Sequence, residues 1–267
     1  MLAARGLRPK KRFGQHFLTD RGALQRIADL CVPQTGERIV EVGAGTGALT
    51  CALLERGARV TALEIDANLV AALREREDLS GVDIVEADAL AFDYEAAVKG
   101  ERWCAAGNLP YNIATPLIGR WLQAGDPPQR IVAMLQRDVA DRLGARPGTP
   151  QYGSFSLVVA YAMTVRRAFI LPPSAFYPRP KVDSAVVVMD RRPTPAVAVR
   201  DPVMLLQVVR GAFAYRRKTL ANSLALALGI ERTRTQNALA ALDVDTEIRA
   251  EQLDLGAFAA LADFLGE

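Results

Sequence analysis

The 267 residues are 50% hydrophobic and 24% charged, with a net charge of +3, a composition of folded globular proteins rather than disordered or fibrous ones. No apolar run reaches membrane-spanning length and the first residues lack the apolar core of a secretory signal, so a cytoplasmic protein is expected. Cys31, Cys51 and Cys104 are far apart without C-x-x-C spacing, and His16 is the only histidine, so neither a disulfide framework nor a metal site is expected.

In chain order, the N-terminus is arginine-rich and free of acids up to Asp20. This also suits a mitochondrial transit peptide, but the basic run leads straight into Phe13-Gly14-Gln15-His16-Phe17-Leu18. Thr19 or Asp20 can cap a helix whose apolar face includes Leu24, Ile27, Ala28 and Cys31. Residues 38–42 read as a buried strand and 48–55 as the helix after it, joined by Gly43-Ala44-Gly45-Thr46-Gly47. Glycines at a strand-to-helix turn let backbone approach a ligand. The pattern satisfies the dinucleotide fingerprint, so by itself it does not separate a nicotinamide cofactor from another bearing adenosine.

A second strand over 59–65 carries Glu64 near its end, about 20 residues after the first glycine, as expected of a carboxylate that grips ribose hydroxyls. A third over 82–87 ends at Asp88, which can accept from an adenine amine or cap a helix. Polar residues at the ends of successive strands describe a crevice along the carboxyl edge of a parallel sheet. The run 103–106 then leads into Gly107-Asn108-Leu109-Pro110-Tyr111. An exocyclic adenine amine is a weak nucleophile because its lone pair is delocalised into the ring. Two acceptors gripping its hydrogens, such as the Asn108 side-chain oxygen and the Leu109 carbonyl, favour a pyramidal nitrogen. Pro110 stiffens the turn, and Tyr111 offers a face for stacking a base.

Helix is expected over 113–123, strand over 130–136, and helix from Asp138. A loop at 146–150 follows, then helix over 154–163 and strands over 164–170 and 182–189. Two strands in succession imply an antiparallel final pair. Residues 191–202 hold three prolines and read as a linker. Beyond it Leu220, Leu224 and Leu228 recur at helical spacing, and Asp254 can cap a last helix bearing Phe258, Leu261 and Leu265. The fold class is therefore α/β, a doubly wound, mostly parallel Rossmann-like sheet, with a smaller all-helical C-terminal domain. The division is placed at 1–192 and 193–267.

The glycine loop, Glu64, Asp88 and Asn108-Leu109-Pro110-Tyr111 resemble the S-adenosylmethionine-dependent adenine amino-methyltransferases. Three further segments narrow this: Lys10 to Leu18, Phe176-Tyr177-Pro178-Arg179-Pro180-Lys181-Val182-Asp183-Ser184, and Arg216-Arg217-Lys218-Thr219-Leu220-Ala221-Asn222-Ser223-Leu224. Together they are similar to the small-subunit ribosomal RNA adenine dimethyltransferases, from about residue 8 to the C-terminus.

That resemblance implies dimethylation of two adjacent adenosines in a hairpin near the 3′ end of small-subunit ribosomal RNA. The expected setting is an assembling small subunit, with the enzyme a monomer and no membrane partner. The catalytic set it implies is Asn108, Leu109, Pro110, Tyr111 and, by analogy with the family, Phe176 over the other face of the base. The cofactor set is His16, Leu18, Gly43, Gly45, Glu64, Ile65, Asp88, Ala89 and Asn108. His16 stands where the family often has Asn, which leaves open whether its contact is through side chain or backbone.

Charge is unevenly placed. Residues 1–30 carry seven Lys or Arg against two acids, and residues 191–220 carry seven against Asp201, so the rest of the chain is net acidic. Basic segments flanking an acidic body suit a nucleic-acid footprint, here Lys10, Lys11 and Arg12 with Arg216, Arg217 and Lys218. Three alternatives stay open. One is a sister enzyme acting on large-subunit RNA. A nicotinamide dehydrogenase would leave Asn108–Tyr111 unexplained. A noncatalytic RNA-binding or transcription factor on the same fold would have no need of the whole residue set.

Overall fold

The computed structural model describes residues 8–10, 13–32, 34–110 and 113–266. A two-residue strand, β1 (Phe17–Leu18), precedes α1 (Arg21–Cys31), where the Asp20 carboxylate accepts from Ala23 N. Ala23, Leu24, Ile27, Ala28 and Cys31 form the buried stripe of α1, as the helical spacing predicts. The chain then alternates through β2 (Arg38–Val42), α2 (Ala48–Leu54), β3 (Arg59–Glu64), α3 (Ala67–Arg74), β4 (Asp83–Glu86), α4 (Tyr94–Val98), β5 (Trp103–Asn108) and α5 (Ala114–Leu122). It continues with β6 (Arg130–Gln136), α6 (Arg137–Leu143), α7 (Ser154–Ala162), β7 (Met163–Leu171), β8 (Phe176–Tyr177) and β9 (Ser184–Arg191).

The seven-stranded sheet has the order β4-β3-β2-β5-β6-β9-β7. Strands β4, β3, β2, β5 and β6 pair in parallel, and β9 runs antiparallel to β6. This is the expected doubly wound sheet, and the two strands expected as its final pair lie side by side as β9 and β7. Parallel strands covered on both faces read as unbroken apolar runs. Ile39, Val40, Ala105, Ile131, Val186 and Val188 are accordingly shut off from solvent, and each buried Val or Ile contributes about 1.5–3 kcal/mol relative to exposure.

The order reverses between β2 and β5, where the chain leaves one side of β2 for the other, and ligands of such sheets bind beyond the strand ends at that point. Gly107 makes the spacing there. It sits beside Val42 in register with φ 155°, and a Cβ on it would lie 2.2 Å from the Val42 carbonyl oxygen. Only glycine fits, and the next residue along β5 is Asn108.

The chain divides into two compact units, one comprising residues up to Ala140 with Val165–Arg191, the other Asp141–Thr164 with Arg192–Glu267. The sequence division at 192/193 lies next to the Arg191/Arg192 junction, but the sequence holds no sign that Asp141–Thr164 groups with the C-terminal helices. That second unit packs α7 with α8 (Pro202–Ala212), α9 (Leu220–Leu228), α10 (Arg232–Ala241) and α11 (Leu255–Leu265). Leu205, Val209, Leu220, Leu224, Leu239 and Phe258 are buried in it. A Cβ on Gly211 would come within 2.9 Å of Leu228, so this glycine permits the close crossing of α8 and α9. Helices α8 and α10 have no counterpart in the sequence reading. Among the described residues no helix is long and apolar enough to cross a membrane.

Candidate active site

One cleft opens at the switch point, enclosing about 980 Å³ together with the open solvent at its mouth. Its lining brings together His16, Leu18, Gly43, Gly45, Glu64, Ile65, Asp88, Ala89, Asn108, Leu109 and Pro110. These come from the ends of β1, β2, β3, β4 and β5 and lie up to 94 positions apart in the chain. Tyr111, Lys11 and Arg12 lie outside the described residues.

The glycine turn is fixed by backbone bonds. Gly43 N and Ala44 N both donate to the Leu63 carbonyl, at 2.9 and 3.0 Å. Gly45 has φ 58°, and a Cβ on it would meet the Phe17 ring at 3.0 Å. The ring of β1 thus closes directly on the turn. Glu64, 6% exposed, accepts from Gly45 N through Oε2 at 2.8 Å and from Ile65 N and Asp66 N through Oε1, both at 3.0 Å. Burial raises its pKa above the ordinary carboxylate range, while these three N–H donors oppose the rise. Oε1 accepts two bonds and Oε2 one, so Oε2 keeps an acceptor site for a ribose hydroxyl. Ile65, 46% exposed, offers an apolar face beside it.

Asp88 closes a turn rather than capping a helix, with Oδ1 accepting from Leu90 N at 2.8 Å. The turn is held from beneath. Tyr94 Oη donates to the Ala89 carbonyl at 3.0 Å, and Arg120 Nη1 donates to the carbonyls of Ala89 at 3.2 Å and Leu90 at 2.5 Å. Tyr94 stacks on Trp103 and meets Trp121 edge-on, so the base of this support is aromatic and rigid.

The Asn108 turn shows where its polar groups point. Asn108 Nδ2 donates to the His16 carbonyl at 2.6 Å. The Pro110 carbonyl accepts from Ile113 N and Ala114 N at 3.0 and 3.1 Å. Among the described residues no donor reaches the Leu109 carbonyl. The Leu109 side chain, 1% exposed, anchors the turn. Two acceptors, Asn108 Oδ1 and Leu109 O, are therefore available on one turn. His16 also bonds through Nδ1 to the Pro178 carbonyl at 2.7 Å.

Two of the expected site residues have partners within the protein. Lys10, expected on RNA, donates from Nζ to Asp66 Oδ1 at 2.7 Å. Gln15 reaches Asp66 Oδ2 and accepts from Lys10 N. Burial of Asp66 would raise its carboxyl, but Lys10, Gln15 and Asn68 N outweigh that and hold it below its usual value. Lys10 thus clamps the segment leading to β1 against the N-terminus of α3. Phe176, expected over the base, is 3% exposed and pairs in register with Leu18 in a β1–β8 ladder. It packs in the core and is not among the residues that line the cleft.

The sequence reading missed Asp66 and Glu41. Glu41 is 1% exposed, lines the cleft, and accepts from Thr50 Oγ1 through Oε2 at 2.6 Å. The available signal was one acid inside an apolar strand, Arg38-Ile39-Val40-Glu41-Val42. Burial pushes its pKa from 4.5 to about 8, the Thr50 hydroxyl opposing and the Glu64 charge adding. The unfolded chain releases this proton near 4.5 and the folded chain near 8, so folding stability is full below the first value and declines as pH rises towards the second. Glu41→Gln keeps an oxygen for Thr50 and removes the titration. Urea unfolding between pH 5 and 8 should show the variant escaping a decline of about 1.4 kcal/mol per pH unit crossed. Parallel profiles for the two proteins would refute the assignment.

The residues fit S-adenosylmethionine. A buried carboxylate on fixed backbone donors suits a ribose hydroxyl, Asp88 with Ile65 suits an adenine, and Gly45 under Phe17 leaves no side chain in the way. Among the described residues no group of three or more His, Cys, Asp or Glu is placed to hold a metal ion.

The family model described as ribosomal RNA adenine dimethylase matches residues 6–266. The ribosomal RNA small subunit methyltransferase A of Geobacter metallireducens is 45% identical over 262 residues, covering 96% of this chain and 95% of its own. Its namesake in Pseudomonas aeruginosa is 43% identical over 262 residues, covering 97% and 96%. Among solved structures, a 23S rRNA methyltransferase matches with TM-score 0.70 at 25% identity, covering 94% of this chain and 100% of its own. A dimethyladenosine transferase from Plasmodium falciparum shares the fold, with TM-score 0.74 at 22% identity over 92% and 95%. With a near full-length family match and close full-length relatives, the chain belongs to the ribosomal RNA adenine dimethylase family.

Proposed function

We propose that this protein dimethylates the 6-amino groups of two adjacent adenosines in a hairpin near the 3′ end of small-subunit ribosomal RNA. It would act as a cytoplasmic monomer on an assembling subunit. The observation that carries the reading is the Asn108 turn, with one carboxamide edge committed to His16 and two acceptor oxygens left on residues that line the cleft. Bound S-adenosylmethionine supplies an electrophilic methyl on sulfur. The residues of the chain do the rest by placement and electrostatics. Glu64 holds the ribose, and Asp88, braced through Ala89, Tyr94 and Arg120, holds the adenine. Asn108 Oδ1 and Leu109 O take the two amine hydrogens of the target base. The base lies on Tyr111, at about 1–3 kcal/mol per stacked base. No side chain is assigned as general base, because the amine loses its proton after attack begins.

The test is methylation of small subunits from cells lacking this modification, using isotope-labelled S-adenosylmethionine, with the product mapped by mass spectrometry. Two neighbouring dimethyladenosines near the 3′ end are expected. Label confined to large-subunit RNA, or absent, would overturn the reading.

RNA docking falls to the second unit. Arg216, Arg217 and Lys218 are exposed on the turn between α8 and α9, beside Tyr215, which is 45% exposed. Each phosphate contact removed should flatten the slope of log affinity against log salt by roughly 0.7–0.9. The triple alanine variant should therefore bind the subunit more weakly with a shallower slope, while binding S-adenosylmethionine normally. An unchanged slope would make the cluster a solvated surface.

A further inference from the structure

We infer that His16 is a positioning residue for Asn108, setting which edge of its carboxamide faces the amine. The inference rests on the reading of Asn108 given above. A carbonyl oxygen only accepts, so the 2.6 Å contact with the His16 carbonyl identifies the Asn108 edge facing it as Nδ2. A flipped amide would bring two oxygens together at that distance and turn N–H groups towards an amine that needs acceptors. The His16 carbonyl thus decides whether Asn108 grips the substrate or opposes it.

That carbonyl is itself pinned by the His16 side chain. The Pro178 carbonyl, 2.7 Å from Nδ1, is also an acceptor, so Nδ1 carries the hydrogen. One residue in this way links positions 16, 108 and 178. The same segment is held from its other end, where Gln15 bonds to Asp66. The flanking Phe17 pairs in register with Tyr177, so the pin and the ladder reinforce each other.

The chemistry specifies a replacement. Nδ1 of histidine and Nδ2 of asparagine are both bonded to Cγ, so asparagine at 16 can donate to Pro178 from nearly the same place. Leucine fills similar space and donates nothing.

Single-turnover methyl transfer to the small subunit at saturating cofactor, together with calorimetric cofactor binding, tests this on His16→Leu, His16→Asn, Asn108→Ala and the His16→Leu/Asn108→Ala pair. His16→Leu should slow transfer between about tenfold and a hundredfold, the range expected of a misplaced reacting group, with cofactor affinity changed far less. His16→Asn should recover most of the rate. The double variant should be no slower than Asn108→Ala, because His16 acts through Asn108. Normal turnover in His16→Leu, no recovery in His16→Asn, or losses that multiply in the double variant would each overturn the inference. Failure of the underlying reading shows separately, as near-normal turnover in Asn108→Ala. A second measurement needs no variant: in the free wild-type protein one Nδ2 proton of Asn108 should exchange slowly with solvent. Fast exchange of both would also overturn it.

Discussion

Replacing Asn108 by Ala is expected to slow methyl transfer by about 10²–10³-fold, the loss seen when one preorganised polar group is removed from a developing charge. Affinity for S-adenosylmethionine should fall only a few-fold. The amine nitrogen starts flat and conjugated, and must become pyramidal and positive. Acceptors on its two hydrogens are therefore worth more in the transition state than in the ground state, and interactions of that kind appear in turnover rather than in binding. Leu109 O remains in the variant, but a single acceptor cannot hold both hydrogens. Single-turnover transfer beside calorimetric titration separates the two effects. A near-normal rate would remove Asn108 from the reaction.

Glu64→Ala is expected to act on the other ligand. A charge-assisted hydrogen bond to the ribose would be lost, worth about 1.5–3 kcal/mol, which corresponds to a weakening of roughly 10–10²-fold. Gly45 N, Ile65 N and Asp66 N would lose their acceptor at the same time. The melting temperature should fall with the affinity. Glu64→Gln is no gentler, because the two oxygens accept from opposite sides and an amide nitrogen on either side would face an N–H. Binding to the small subunit should be nearly intact in both variants. Equal losses of RNA and cofactor affinity would mean that Glu64 shapes the whole unit rather than the cofactor end.

The sheet was legible because buried parallel strands are short apolar runs bounded by glycine and acids. Residues 38–42 and 130–136 were placed to the residue, as β2 and β6. The crevice was legible for the same reason, since Gly43, Glu64, Asp88 and Asn108 each stand at the end of such a run. The β1–β8 ladder was not, because two residues at 17–18 pair with two at 176–177 and leave no local pattern. The internal contacts of Phe176 and Lys10 were hidden for the same reason. Their motif positions were visible in the chain, but their partners, Leu18 and Asp66, are visible only in three dimensions. Helix α10, Arg-Thr-Arg-Thr-Gln-Asn at its start, has too little apolar periodicity to be read. Helix α8 had Asp201 and Pro202 as start signals, and both were absorbed into the linker.

Strand β9 lies between β6 and β7 in the sheet although it is the last strand of the chain. During synthesis the edge of β6 therefore stays unpaired until residues 184–191 have emerged, and sheets completed by such distant pairing fold slowly. The Pro178 carbonyl, on which His16 hangs, arrives only a few residues before that strand. A nascent chain ending short of it has the glycine turn, Glu64 and Asn108 but not the contact that pins His16 beside Asn108. The support of the Asn108 turn is thus complete only once the last strand of the sheet is in reach.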